Sequence, residues 1–231
     1  MHWFYEPDLS DGQSEFSAEQ SVHAKALRIR VGEQIAITNG LGKVAFATVA
    51  AENPVRFEIH ELSVADMPSP RFHLVQALAK NDRDELALQS SVELGCRTVT
   101  PWQAARSIVK WDQKAERNQS RWQAIAIEAM KQSQQSFLCE VKPLVSTKGI
   151  TVSGVGIILD PRGEAPLSSV DPAADYTIIV GPEGGISEDE LLLLKSAGFR
   201  SYRMGPSVLR ASTAGPAAIA AISALHGSFR I

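Results

Sequence analysis

The chain has 231 residues, of which 44% are hydrophobic, and its formal net charge is −3 at pH 7. That hydrophobic content supports a folded core, and the net charge argues against indiscriminate nucleic-acid binding. The sequence shows neither a signal-peptide pattern nor an apolar run of the ~20 residues that span a bilayer. Cys96 and Cys139 lack the spacing of a zinc or redox motif, so both are expected to be reduced. These features predict a cytoplasmic protein.

Residues 1–68 predict a small, mainly β module. Ser17 and Gln20 have the spacing of a capping box, which predicts a short helix near 18–28. Alternating segments joined by Asn-Gly-Leu-Gly predict a hairpin, followed by one more strand. Two prolines within 67–71 favour a linker. The predicted strands cover 34–38, 43–49 and 55–62.

From residue 72 onward, predicted strands alternate with predicted helices, which indicates an α/β domain with a mostly parallel sheet. Trp122, Ile125, Ala126, Ala129 and Met130 form an apolar stripe at helical spacing. The predicted strands cover 72–79, 96–102, 155–159, 176–180 and 200–204, and the predicted helices cover 82–95, 120–133, 188–197 and 214–226.

The segment IIVGPEGGISEDELLLL, residues 178–194, runs from a strand through three glycines into a helix. Ligands of parallel α/β sheets bind beyond the carboxyl ends of the strands. Three glycines cost chain entropy unless the backbone turns sharply or contacts a ligand, so they indicate a binding loop. The spacing matches neither the dinucleotide nor the P-loop pattern.

The helix after this loop begins with acidic residues. Ser187 and Glu190 predict a capping box, and Ile186 and Leu191 predict a hydrophobic staple. A phosphate would meet several carboxylates before it met the amide donors, so the pattern favours a neutral or cationic adenosine compound. The acidic residues are Glu183, Glu188, Asp189 and Glu190.

A second conspicuous segment covers residues 204–225. Its helix is rich in alanine and predicted to be buried, and Pro216 is placed in the first turn, where proline is tolerated. Arg210 is isolated among small residues. A buried arginine is costly unless it pairs with an acid or contacts a ligand, and both alternatives stay open.

Four ordered blocks resemble the RsmE family, the ribosomal RNA small-subunit uridine-N3 methyltransferases of the SPOUT class. HAKALRIRVGEQI, at 23–35, is similar to the family's N-terminal barrel motif. The segment 77–111 is similar to the first α/β segment, with Lys80, Glu93, Gly95, Arg106 and Ser107 in the expected places. The third block, RWQAIAIEAMKQS at 121–133, matches a helix of the family. The fourth block consists of IIVGPEGGISEDEL and MGPSVLRASTA, and with it the resemblance covers nearly the whole chain.

The resemblance implies an RNA-binding PUA-like β-barrel over residues 1–68. It implies a SPOUT methyltransferase domain over 72–231, tied in a deep trefoil knot that no periodicity could predict. S-adenosylmethionine is expected in the knot, held by LDPRGE, GPEGG and GPSVLRASTA. The expected partners are the 16S ribosomal RNA of the small ribosomal subunit and a second copy of the chain.

Individual roles follow from the same resemblance. Arg210 is the candidate for stabilising negative charge on uracil, and Glu183 is a possible proton acceptor. For cofactor binding it implies Leu159, Gly181, Pro182, Glu183, Gly184, Gly185, Met204, Gly205, Pro206, Leu209, Arg210, Ser212, Thr213 and Ala214. For RNA binding the candidates are Arg28, Arg106, Lys110, Arg121 and Gln132, several of which belong to the basic middle third of the chain.

Two positions depart from the family pattern, which often has Arg where this chain has Gln135 and Glu where it has Ser212. The alternatives are a SPOUT methyltransferase for another RNA or atom and a non-catalytic RNA-binding factor. The five histidines lack metal-ligand spacing, so no metal site is predicted. Base stacking is considered for Trp102, Trp111 and Trp122, although the helix stripe favours a core position for the last of these.

Overall fold

The computed structural model describes residues 1–226, and the last five residues of the predicted 72–231 domain lie outside this range. The chain divides into two compact units. The first consists of Met1–Met67 and Met130–Leu138, and the second consists of Pro68–Ala129 and the chain from Cys139 onward. A segment from the middle of the sequence therefore folds with the N-terminal unit, which local patterns did not indicate.

The first unit contains a four-stranded sheet in which the strands are ordered as they occur in the chain. Its first two strands are parallel and the other pairings are antiparallel. The predicted hairpin is confirmed, and Asn39 supports its turn by accepting from the amides of Leu41 and Lys43. The elements are β1 (His2–Tyr5), α1 (Ala18–Ala26), β2 (Gln34–Thr38), β3 (Lys43–Glu52) and β4 (Val55–Val64). Of these, β1 was not predicted.

The start of α1 has only half of the predicted capping box. The Ser17 hydroxyl accepts a hydrogen bond from the Gln20 amide at 3.4 Å, as expected. The Gln20 side chain is buried and accepts instead from the Tyr5 amide, also at 3.4 Å. The Ser17 amide donates to a Glu6 carboxylate oxygen at 2.6 Å. The Glu6 carboxylate thus takes the role expected of the Gln20 side chain, because Glu6 directly follows β1, which lies beside the start of α1.

The second unit is built on a seven-stranded sheet in the order β7-β6-β5-β10-β8-β11-β9, and every pairing in it is parallel. The α/β prediction is therefore confirmed. The elements are β5 (Arg71–Ala77), α2 (Arg83–Glu93), β6 (Cys96–Trp102), α3 (Ala115–Gln132, whose end belongs to the first unit), β7 (Glu140–Val141), β8 (Val155–Leu159), β9 (Ala165–Pro166), β10 (Asp175–Val180), α4 (Glu188–Ser196), β11 (Phe199–Arg203) and α5 (Ala211–Leu225).

The two faces of this sheet are covered by different helices. On one face α5 packs against α2, β5 and β10. On the other, a hydrophobic cluster joins strand residues Ile158 and Ile179 to Leu191 and Leu194 of α4. Both faces are buried, which explains why the central strands are nearly continuous apolar runs.

Helix α5 begins earlier than predicted, at Ala211, so Pro216 lies in its second turn and not in its first. The prolyl nitrogen cannot donate to the Ser212 carbonyl, and the helix continues despite this missing bond. Helix α3 also begins earlier than predicted, at Ala115.

The base-stacking hypothesis for the tryptophans is wrong. Trp102, Trp111 and Trp122 are all buried, with exposures of 0%, 5% and 2%. The rings of Trp111 and Trp122 meet edge to face, with centroids 5.0 Å apart. These side chains pack the core and present no face to a nucleotide.

Both cysteines are free and buried. Although they are far apart in the sequence, the fold brings them together: a hydrogen bond with Cys96, together with burial, raises the pKa of Cys139. No helix within residues 1–226 is long and apolar enough to cross a membrane.

Candidate functional site

Three loops meet at one end of the parallel sheet. Strands β10, β8 and β11 lie side by side, and the loops that follow their carboxyl ends cover 181–187, 160–164 and 204–210. Together with Arg83 and Arg106 they line a cavity of about 570 Å³. This is the edge at which parallel α/β sheets bind ligands. The three sequence segments singled out above thus face a common space.

The glycine loop, residues 181–185, has a structural need for its bare backbone. A Cβ on Gly181 would lie 2.7 Å from the Ile186 side chain, and a Cβ on Gly184 would lie 3.1 Å from the Cβ of Arg106. Gly185 has a φ of +71°, a conformation that side-chain-bearing residues rarely adopt. The glycines therefore allow the loop to pack closely and leave its backbone exposed to the cavity.

The capping box at the start of α4 is confirmed, and it is larger than predicted. Glu190 is 5% exposed. One of its carboxylate oxygens accepts from the Ser187 amide and hydroxyl, at 3.1 and 2.9 Å. The other accepts from the Ala105 amide and the Thr147 hydroxyl, both at 2.8 Å. Burial alone would raise the pKa of Glu190, but these hydrogen bonds outweigh it and the pKa is lowered.

The expectation that a phosphate at the glycine loop would first meet several carboxylates is wrong. Glu183 pairs with Arg83 at 3.3 Å and accepts from the Lys80 amide at 3.3 Å. The cavity lining contains two carboxylates, and it also contains four arginines. Local sequence could not reveal this balance, because the arginines come from four separate segments: Arg83, Arg106, Arg162 and Arg210.

Arg162 joins the loop after β8 to helix α4. Its guanidinium contacts Asp160 at 3.2 Å and Glu188 at 3.3 Å. The hydrogen bond with Asp160 raises the pKa of Arg162 most, and the hydrogen bond with Glu188 raises it further. The loop after β8 is thereby tied to the first turn of α4.

Arg210 is exposed at the N-terminal end of α5, and its prediction as a buried residue is wrong. Its backbone is extended, and the helix begins only at the next residue. Within residues 1–226 no carboxylate lies within 4.0 Å of its guanidinium. Arg210 lines the cavity, so it is a cation that faces the site and remains available to a ligand.

Most residues expected to bind the cofactor line this cavity or a recess of about 60 Å³ that shares Leu159, Leu209 and Ala214 with it. Pro206, Ser212 and Thr213 line neither space, and Ser212 is buried in α5. Of the expected residues, those that line the cavity are Leu159, Gly181, Pro182, Glu183, Gly184, Gly185, Leu209, Arg210 and Ala214, and those that line the recess include Met204 and Gly205.

The candidate RNA-binding residues occupy several parts of the structure. Arg106 lies beside the glycine loop, and Lys110 is exposed farther along the same segment. Arg121 is exposed on α3 and pairs with Glu85 at 2.7 Å. In the first unit, Arg28 lines a cavity of about 200 Å³ together with Lys25 and Arg30, and Gln132 is exposed.

Arg97, which belongs to the same basic stretch of sequence, differs from these residues because it is partly buried. Burial lowers its pKa. It is therefore less suited to an RNA contact than its position in the sequence suggests. No cluster of three or more metal-ligating side chains occurs in the part of the chain that the structure describes.

Comparison with known proteins identifies the family. A model of the RNA methyltransferase domain matches residues 67–223, and a model of the RNA methyltransferase PUA domain matches residues 16–62. The ribosomal RNA small subunit methyltransferase E of Mycobacterium bovis is 34% identical over 221 residues, covering 90% of this chain and 84% of that protein. The chain belongs to this methyltransferase family.

Other members of the RNA methyltransferase E family agree with this result. The protein from Aquifex aeolicus is 30% identical, covering 93% of this chain and 95% of its own length. A crystal structure of the Neisseria gonorrhoeae enzyme, bound to S-adenosylmethionine, superposes with a TM-score of 0.90 at 32% identity and covers 100% of both chains. The PUA-like and SPOUT fold assignments are thereby confirmed.

Sequence reasoning missed Arg83, Asp160 and Arg162 as individual residues of the site. The segment LDPRGE was singled out, but the ion pair that ties it to the start of α4 depends on Glu188, which is distant in the sequence. Arg83 follows β5, which neighbours β10, and only the strand order shows that the loops after these two strands meet. The one usable signal was a basic residue at a predicted strand-to-helix junction.

Proposed function

We propose that this protein transfers a methyl group from S-adenosylmethionine to N3 of a specific uridine in the 16S ribosomal RNA of the small ribosomal subunit. The observation that carries the proposal is the meeting of three loops at one cavity, in a fold whose Neisseria gonorrhoeae relative is bound to S-adenosylmethionine. The family name supplies the RNA substrate, and the resemblance in the sequence supplies the atom.

The residues of the cavity fit this cofactor. Leu159, Leu209 and Ala214 offer apolar contact, and the glycine loop offers backbone groups to a neutral purine. Both carboxylates and arginines are present, which suits a molecule that carries a sulfonium, an ammonium and a carboxylate group. Bound S-adenosylmethionine supplies an electrophilic methyl group. Everything else in the reaction falls to the protein and the RNA.

The protein has two tasks in this reaction. It must position the uracil ring, and it must stabilise the negative charge that grows on uracil as N3 loses its proton. Arg210 is assigned to the second task, because its guanidinium faces the cavity without a carboxylate partner among the described residues. Replacing Arg210 with Ala is expected to lower kcat by about 10²- to 10³-fold at saturating cofactor. Near-normal turnover in a folded variant would refute the assignment.

Glu183 is the candidate acceptor for the N3 proton, and it also positions the glycine loop through Lys80 and Arg83. Glu183→Gln separates the two roles, since glutamine can keep the hydrogen bonds but is a poor base. A fall in kcat at unchanged cofactor affinity supports proton transfer. Weaker cofactor binding at unchanged kcat supports positioning alone.

RNA contacts are assigned to Arg106, Lys110 and Arg121 in the second unit and to Arg28 and Gln132 in the first. Apart from Gln132, these side chains are cationic, and phosphate contacts provide a large share of the affinity in nucleic-acid binding. Neutralising one of the cationic residues is expected to weaken RNA binding and to reduce its salt dependence by about one counterion. A salt slope that stays the same would contradict the assignment.

A homodimer is part of the proposal. An apolar groove with a volume of about 590 Å³ runs beside α5, lined by Leu167, Ala221, Ala224 and Leu225 among others. Val208, next to the cavity, is 76% exposed. A second copy of the chain would cover such surfaces. Sedimentation equilibrium at micromolar concentration tests this, and a monomer would contradict it.

The decisive experiment uses small ribosomal subunits from cells that lack the enzyme. Incubation with labelled S-adenosylmethionine should label one nucleotide in 16S RNA, and reverse transcription should stop there, because N3 methylation blocks Watson–Crick pairing. Label in transfer RNA or at another atom would support a different SPOUT activity. Binding of RNA without any transfer would support a non-catalytic RNA-binding factor.

A further inference from the structure

Arg106 lies where the two proposed substrates meet. One of its terminal nitrogens donates a hydrogen bond to the Gly184 carbonyl at 3.1 Å. The Gly184 backbone also packs tightly on this residue, since an added Cβ would lie 3.1 Å from the Arg106 Cβ and 3.3 Å from its carbonyl oxygen. The conformation of the glycine loop and the position of Arg106 therefore depend on each other.

The segment that carries Arg106 is also fixed on its other side. The amide of Ala105 donates to Glu190 at 2.8 Å, and Glu190 caps α4 through Ser187. Glu190 is buried, so these bonds are shielded from water. The glycine loop, the start of α4 and the segment around Arg106 thus form one connected body.

Arg106 retains capacity for a second partner. A guanidinium carries five N–H donors, and the structure assigns one of them, to a neutral carbonyl. Two other arginines of the cavity are already neutralised: Arg83 by Glu183, and Arg162 by Asp160 and Glu188. Among the residues that the structure describes, no carboxylate lies within 4.0 Å of the Arg106 guanidinium. A phosphate would be a stronger partner than a carbonyl, because both groups of that pair are charged.

We propose that Arg106 couples the two substrates, so that cofactor binding in the glycine loop strengthens RNA binding and RNA binding strengthens cofactor binding. The inference rests on the proposed function. An ordered loop holds the Gly184 carbonyl in place, and this carbonyl holds the guanidinium in the orientation that a phosphate needs. The ligand that binds second therefore loses less side-chain entropy. Thermodynamic linkage requires that the cofactor increase the affinity for RNA by the same factor by which RNA increases the affinity for the cofactor.

The test measures the affinity of S-adenosylhomocysteine by calorimetry, with and without saturating small subunits from cells that lack the enzyme. S-adenosylhomocysteine is the demethylated product of the cofactor and has no methyl group to transfer, so no turnover takes place. The wild-type protein should bind it about fivefold more tightly in the presence of the subunits, near the lower end of usual allosteric couplings. The affinity of the subunits should increase by the same factor when S-adenosylhomocysteine is present.

Arg106→Ala should bring this factor close to one. Arg106→Lys keeps the charge but not the planar fork, and it should retain part of the RNA affinity and lose most of the coupling. Lys110→Ala is the matched control: Lys110 is exposed in the same segment and does not line the cavity, so its loss should weaken RNA binding and leave the factor unchanged.

The outcomes separate this inference from the proposed function. If both ligands bind and the wild-type factor is one, the coupling is refuted while the function stands. If the factor persists in Arg106→Ala, another residue carries the coupling and the role of Arg106 is refuted. If either ligand fails to bind the wild-type protein, the proposed function itself fails.

Discussion

Replacing Glu190 with Gln is expected to destabilise the second unit more than any exposed substitution at the same helix end. The carboxylate accepts four hydrogen bonds, two on each oxygen. Glutamine can keep the pair from Ala105 and Thr147, but its NH₂ group then faces the Ser187 amide. The Ser187 hydroxyl can rotate to accept a hydrogen bond, whereas the amide cannot and is left without an acceptor.

The magnitude follows from these contacts. A buried donor without a partner costs ~1–3 kcal/mol, and the two bonds that remain lose the extra strength of a charged acceptor, ~1 kcal/mol in total. The expected loss in the free energy of unfolding is therefore about 2–4 kcal/mol. Glu188→Gln is the control, since Glu188 is in the same turn, its side chain is 75% exposed, and Arg162 is its one ion-pair partner among residues 1–226. An exposed pair of this kind contributes little to stability, because water and salt screen the two charges.

The stability of both variants is measured by urea denaturation, and unfolding is monitored by the fluorescence of the buried tryptophans. Glu190→Gln should lower the midpoint by about 1 M at an ordinary m-value, and Glu188→Gln should shift it by much less. The pKa of Glu190 is lowered from its ordinary value of 4.5. Its stabilisation is therefore fully present above that value and is lost as the pH falls through the lower folded-state pKa, where the protonated wild type comes to resemble the variant. Equal midpoints for the two variants at pH 7, or a difference that grows in acid, would refute the reasoning.

Three smaller predictions concern single positions. A Cβ on Gly163 would lie 2.4 Å from the backbone of β11, so Gly163→Ala should destabilise the protein by ~1–3 kcal/mol. Gly12→Ala is the control in the same urea assay and should be neutral, because a Cβ on Gly12 would have no atom within 4 Å. Asn81 has a φ of +57°, so Asn81→Ala should cost about 1 kcal/mol and Asn81→Gly should not, and similar midpoints for both variants would contradict this explanation. The buried Cys96 and Cys139 should react with a thiol reagent only as fast as the protein unfolds, and a rapid phase in native buffer would show that they are accessible.

Local rules predicted the central strands of the second unit well, because these strands are buried on both faces. The strand 96–102 and the strand 155–159 have the predicted bounds. The capping box at Ser187 and Glu190 was also confirmed, since both of its members lie within one turn of the chain. Where every determinant is close in sequence, the pattern was sufficient.

Local rules failed where a distant segment supplied a partner. Strand β1 was missed because it is only four residues long and pairs with a distant strand, β2. In this pairing His2 lies opposite Ile35, more than thirty residues later in the chain. Pro216 was placed in the wrong turn because α5 begins at Ala211, directly after the extended residue Arg210. The trefoil knot came from the family resemblance alone, and it stays a prediction.

The electrostatics of the cavity show the same limit most clearly. In the sequence, Glu183 and Glu188 belong to an acidic run that argues against any anion at the glycine loop. In the fold, Glu183 is neutralised by Arg83, the first residue of α2. Glu188 is neutralised by Arg162, which lies in the loop between β8 and β9. The charge that a ligand meets is therefore set by strand order, not by the residues adjacent in the chain. Acids that are already paired do not repel a phosphate as free carboxylates would, so the acidic run in the sequence does not exclude an anion from the glycine loop.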